Sequence, residues 1–155
     1  MSANSSRPVL CAHLTFDERC KSRLLVTLDN GEQAALLIDR GRVLKDGEKV
    51  RLADGRDLNV IAADEALLEA VSDDPVILAK AAYHLGNRHV AVQVMPGRLR
   101  FSSDHVLKDM VAGLGLAVSA VVAPFLPEGG AYGQHHAHGS EAPPSRPKIH
   151  SFSAS

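Results

Sequence analysis

Between Pro8 and about Ala63 the chain alternates short apolar runs with turn chemistry. "SRLLVTL" is closed by "DNG", "EQAALLI" by "DRG" and "VLKDGEKVRL" by "ADG", and "RDLNVIAA" follows. Asp/Asn-Gly breaks recurring at roughly 8- to 12-residue intervals between β-type runs predict hairpins in an all-β module. The pattern then lengthens. "DDPVILAKAAYHLGN" offers Asp74 as N-cap, Pro75 at the first helical position and Gly86 just past the end, which predicts a helix of about three turns. "HVAVQVM" and "RLRFSS" read as strands joined at Pro96 and Gly97. "SSDHVLKDMVAGLG" reads as a second helix capped by Ser103 and ended by Gly113 or Gly115, and "LAVSAVVAPFL" as a last buried strand.

Helix, strand, strand, helix, strand lacks one strand of a closed βαββαβ unit. "EALLEAV" from Glu65 lies where that strand belongs. Ala, Leu and Glu favour a helix there, but the split-βαβ arrangement needs a strand, and a strand is the expectation. Beyond Pro127 the chain is rich in Gly, Pro, Ser and His without periodicity, too polar to offset the entropy of ordering it. The expected fold class is α+β: an all-β N-terminal domain over 1–64, a ferredoxin-like βαββαβ domain over 65–130, and a disordered His-containing C-terminal tail over 131–155.

A formal net charge of -1 advertises neither a nucleic-acid nor an anionic-membrane partner. The amino terminus has no secretory pattern, and the run from Leu116 is interrupted by Ser119 and Pro124 and too short to span a bilayer, so a cytoplasmic protein is expected. Cys11 and Cys20 stand outside C-x-x-C spacing and read as free thiols.

Eight histidines against two Tyr, four Phe and no Trp is the compositional oddity, and it directs the search for chemistry. His135, His136 and His138 fall within four positions of the tail. Neutral imidazoles suit Ni, Cu and Zn ions, and a flexible segment carrying three of them can wrap an ion without a preformed cavity. The alternative is a solvated tail. On a rigid element His105 is the candidate: a helical wheel places Val106, Leu107, Met110, Val111 and Leu114 on one stripe and His105 on the outward face with Lys108, Asp109 and Ala112. Two copies meeting there across a two-fold axis would pair their His105 residues. Wheel geometry leaves open an ordinary exposed histidine. His84 and His89, at a helix end and a strand start, could ligate an ion as a pair but are more often structural in such places, and His13 and His150 are isolated. No Gly-rich phosphate loop, G-x-S-x-G elbow or H-E-x-x-H is present, so no enzyme is expected. An RNA-recognition module needs stacking aromatics, and the central strands offer only Phe101.

Several stretches carry a resemblance in order along the chain: "LTFDERCKSRLLVTLDNG" at Leu14 to Gly31, "GRVLKDGEKV" at Gly41 to Val50, "YHLGNRHV" at Tyr83 to Val90, "DHVLKDM" at Asp104 to Met110, then "PFLPEGGAYG" and a histidine tail. From about residue 10 to 138 the sequence resembles the UreE family of urease accessory proteins. The resemblance implies a two-domain homodimer, with a β-rich domain similar to a peptide-binding chaperone domain and a ferredoxin-like domain similar to metallochaperones. It implies that His105 meets its symmetry mate and binds Ni(II) with help from His135, His136 and His138. It also implies hand-over during urease assembly, with the accessory GTPase and apo-urease as partners. His89 is not the family's principal ligand, and "LAVSAVV" lacks the further histidines some relatives carry. A general Zn(II) or Cu(II) buffer would use the same donors.

Overall fold

The computed structural model describes residues 9–129. His135, His136, His138 and the expected tail lie outside them. The chain parts into two compact units between Ala62 and Ala63.

In the first unit, β1 (Leu10–Leu14) pairs in parallel with β5 (Asp57–Ala62), and β4 (Lys49–Arg51) pairs antiparallel on the other side of β5. A separate hairpin joins β2 (Arg23–Thr27) to β3 (Gln33–Leu37). Its "DNG" turn closes as expected: Gly31 sits at φ 86 and its N–H donates to the Leu28 carbonyl at 3.0 Å, a backbone region glycine enters without steric cost. The "DRG" break makes no hairpin, because β3 does not pair with β4. Leu10, Ala12 and Leu14 from β1, Val50 from β4, Leu58 and Val60 from β5, and Val26 and Leu36 from the hairpin share one buried core. Alternate residues of each strand supply it, as period-2 patterning requires.

The unit is β-rich but not purely β. Thr15 opens a one-turn helix, α1 (Phe16–Arg19), through a capping box with Glu18. Arg19 is 3% exposed, stacks 5.6 Å from the centre of the Phe16 ring, and donates through a guanidinium nitrogen to the Leu44 carbonyl at 3.4 Å. A buried cation is tolerated there because it is hydrogen-bonded and ties the long β3–β4 connection to α1.

The second unit is a four-stranded antiparallel sheet in the order β7-β8-β6-β9, formed by β6 (Asp64–Val71), β7 (Gln93–Met95), β8 (Arg98–Ser102) and β9 (Ala117–Pro124). With α2 (Pro75–Asn87) and α3 (His105–Gly113) between strands, this is the expected βαββαβ arrangement. "EALLEAV" is a strand, central and paired on both sides. Helix propensity distinguishes these residues by less than about 0.7 kcal/mol each, whereas burying Leu67 and Leu68, 1% and 4% exposed, is worth about 1.5–3 kcal/mol apiece. Burial decides.

One face of the sheet packs on both helices. Leu68, Ala70, Leu99, Phe101 and Val118 meet Ala81 and Leu85 of α2 and Val111 of α3. On the other face Glu69 receives Arg100 at 2.8 Å and Arg98 at 3.6 Å. "HVAVQVM" forms a strand only at its last three residues, because Val90 and Val92 pack as connecting chain against the helix-side core. After β9 the chain passes to the opposite edge: the Leu126 N–H donates to Gln93 Oε1 and the Glu128 N–H to the Val92 carbonyl. Four extended residues cover about 14 Å, which matches three inter-strand spacings.

Candidate metal centre

The rigid part of the candidate site is the first turn of α3. Asp104, not Ser103, is the N-cap: its Oδ1 accepts from the backbone N–H groups of Val106 at 2.8 Å and Leu107 at 3.0 Å. Ser103 instead donates its own backbone N–H to the Ala66 carbonyl of β6, which anchors the helix start to the sheet end. His105 is therefore the first helical residue, held by a capped turn, with its imidazole exposed. Leu107, Met110, Val111 and Leu114 form the inward stripe as expected.

Two neighbours depart from the sequence reading. Val106 belongs to no core and is 49% exposed, because at about 100° per residue it falls on the flank of the stripe that Leu107, Met110, Val111 and Leu114 turn to the sheet. β9 is an edge strand and not a buried one. Val122 on it is 74% exposed. Val122 lies opposite Ala66 in register, the residue whose carbonyl holds Ser103. In parity it shares the helix-side face with Val118. The start of α3 and Val122 thus belong to one end of the sheet, with Val122 on its outer edge. An apolar edge strand with an unused backbone edge is a pairing template that proteins ordinarily cover. The only sequence signal for it was a Val/Ala run longer than a single buried face requires.

The other histidines are separate from this edge or from the description. His84 in the last turn of α2 makes an edge-on contact with Tyr83, with ring centres 5.5 Å apart. His89 follows the C-cap of α2 at φ 57, and His13 is exposed on β1. Gly86 lies inside the last turn of α2 rather than beyond it. Among the described residues no three of His, Cys, Asp and Glu gather closely enough to hold a metal. Both thiols are free. Burial, then the charge of Asp17, pushes the Cys20 thiol up, which makes it a weak nucleophile. No helix among the described residues is long and apolar enough to cross a membrane.

Residues 65–152 match the family model described as UreE urease accessory protein, C-terminal domain, and residues 6–63 match the corresponding N-terminal domain. The chain is 49% identical over 155 residues to the urease accessory protein UreE of Dechloromonas aromatica (strain RCB), spanning 90% of this chain and 89% of that protein. It is 55% identical over 127 residues to the protein of the same name from Pseudomonas putida (strain GB-1), spanning 81% of this chain and 76% of that one.

Proposed function

The chain belongs to the UreE urease accessory protein family, and on that premise we propose that it is a nickel metallochaperone whose cargo ion is shared between two His105 residues of a homodimer. Family membership makes it an accessory protein of urease maturation and not an enzyme. The observation that carries the nickel reading is the placement of an exposed His105 on a capped helix turn at the end of the sheet where Val122 lies on an uncovered edge strand. Two such edges meeting across a two-fold axis bury Val122 and Val106 and bring the two imidazoles together. Burial of apolar edge supplies the association, and imidazole nitrogen supplies a donor suited to Ni(II).

Two imidazoles do not fill a nickel coordination shell, and His135, His136 and His138 complete it. His135 is seven residue steps beyond Glu128, a reach of about 25 Å when extended. The last anchored residue, Glu128, is held at β7, and the width from β7 to β9 is about 14 Å. A segment of that length is long enough to span the distance back to the start of α3. Ligands on a tail exchange one at a time for acceptor ligands while the rigid pair retains the ion, which suits delivery in the cytoplasm to apo-urease and its accessory GTPase.

Zn(II) and Cu(II) would be accepted by the same donors, and Cu(II) outranks Ni(II) at nitrogen sites. Selectivity for nickel is therefore tested by outcome: in a mixture of apo-urease, accessory proteins and each metal, the nickel-loaded chain should activate urease and the zinc-loaded chain should not. Equal activation by free nickel alone would reduce the chain to a buffer. Ligation requires unprotonated nitrogen, so nickel affinity should fall steeply below about pH 6. Equilibrium dialysis across pH checks this, and retention at low pH would point to carboxylate ligands instead.

A further inference from the structure

Asn59 stands in the middle of β5, the central strand of its three-stranded sheet. Asparagine is disfavoured in strands, where a β-branched or aromatic side chain packs better. Leu58 and Val60 on either side of it turn to the core and are fully buried, so Asn59 belongs to the opposite face by parity. Its Oδ1 is nevertheless buried and accepts no hydrogen bond among the described residues. An acceptor left like this lowers stability. A residue that weakens both the strand and its hydrogen bonding, at a position an apolar side chain would serve, points to a use outside the fold.

Its surroundings indicate that use. Asn59 lines a cavity of about 460 Å³ with Lys49, Arg51 and Asp57 of the same sheet face, a volume in the range of small-molecule sites. Arg51 donates to Asp57 at 3.0 Å, and this guanidinium holds the carboxyl below its ordinary range. Arg56, also in the lining, is matched by Asp54 at 2.7 Å and Glu32 at 2.8 Å. Lys49 forms no ion pair among the described residues. It lies directly opposite Asn59 in the β4–β5 register, which puts the two Cβ atoms about 5 Å apart. One cation without a carboxylate thus stands beside one unsatisfied amide. Val9, 59% exposed, adds an apolar surface to the same cavity.

We propose that this cavity binds a small organic monocarboxylate carrying an amide next to the acid, the chemistry of an N-acyl amino acid. The carboxylate meets Lys49, the ligand's amide N–H donates to Asn59 Oδ1, and its apolar side chain lies on Val9. Asn59 presents Oδ1 to the ligand by turning about its terminal bond, a torsion with broad preferences. A dianion such as phosphate would face Asp57 in the lining and the two carboxylates paired with Arg56, with only Lys49 uncommitted to balance it. A purely apolar ligand would leave the Asn59 acceptor without a donor. The site lies wholly within the first unit and makes no use of the histidines.

The test titrates isotope-labelled, metal-free, full-length protein with N-acetyl-L-leucine, N-acetyl-L-leucinamide, acetate and inorganic phosphate in turn, following the side-chain amide signals of Asn59 by NMR. N-acetyl-L-leucine should saturate with a dissociation constant of about 1 mM, in keeping with a ligand of about a dozen non-hydrogen atoms. The leucinamide lacks the charge and acetate lacks the amide and side chain, so each should bind at least about tenfold more weakly. Lys49→Met should weaken N-acetyl-L-leucine about tenfold and leave the thermal melt unchanged, because Lys49 is exposed. Asn59→Leu, similar in size, should weaken it by about the same factor while raising the midpoint of thermal unfolding, a split that a purely structural asparagine would not give. Absence of a saturable shift in wild type, equal binding of the leucinamide, tighter binding of phosphate, or unchanged affinity in Lys49→Met would each overturn the site. A lower unfolding midpoint in Asn59→Leu would show that ordered water already satisfies the amide for the sake of the fold, and would overturn it too.

Discussion

His105→Ala is expected to lower nickel affinity by about 10²- to 10⁴-fold while leaving the fold unchanged. The size follows from symmetry, since one substitution removes two ligands from a shared ion. Loss of an outer-shell contact to a metal ligand already costs about 10- to 100-fold, and in the proposed site each imidazole is a ligand itself. The fold is spared because His105 is exposed and the cap belongs to Asp104. A surface change of this kind alters stability by about 0.5 kcal/mol or less. Calorimetric titration with Ni(II), together with a thermal melt of the metal-free protein, reads both halves. Replacing His135, His136 and His138 together should cost less, because they complete the shell and do not found it. Tight nickel binding that survives His105→Ala removes the proposed site.

Val122→Asp is expected to turn the proposed dimer into a monomer and abolish the proposed shared nickel site with every histidine still present. Val122 is 74% exposed in the single chain, so the aspartate remains hydrated there and folding is little affected. At a two-fold edge the same carboxylate loses its water against an apolar surface and approaches its own mate. An unpaired charge buried this way costs several kcal/mol, and each 1.4 kcal/mol is tenfold in dissociation constant. Light scattering at a concentration where wild type is dimeric should give the monomer mass. A variant that stays dimeric and binds nickel normally places the interface elsewhere on the molecule.

Most of the second unit was legible because its signals are local. Asp74 and Pro75 open α2 as read from sequence, and the inward stripe of α3 was visible in its spacing. β6 was legible only through topology, since its residues favour a helix and the pairing on both sides overrides them. The parallel pairing of β1 with β5 was out of reach, because it joins residues nearly fifty positions apart with no turn to announce it. Ser103 and Asp104 are both good caps, and only the Ser103 bond to Ala66 decides between them. At the site, the outward direction of His105 was readable from the wheel. Exposure of Val106 and Val122 was not, because an apolar residue looks the same in sequence whether a helix or a second chain covers it. The strain at His89 was invisible for a similar reason: a histidine after a helix carries no mark of its φ.

The shared site is tested most directly by counting tightly bound nickel per chain while light scattering reports the mass of the species that carries it. One ion per two chains, held by a dimer, is the result the shared site requires. One tight ion on each chain of a monomer would contradict it.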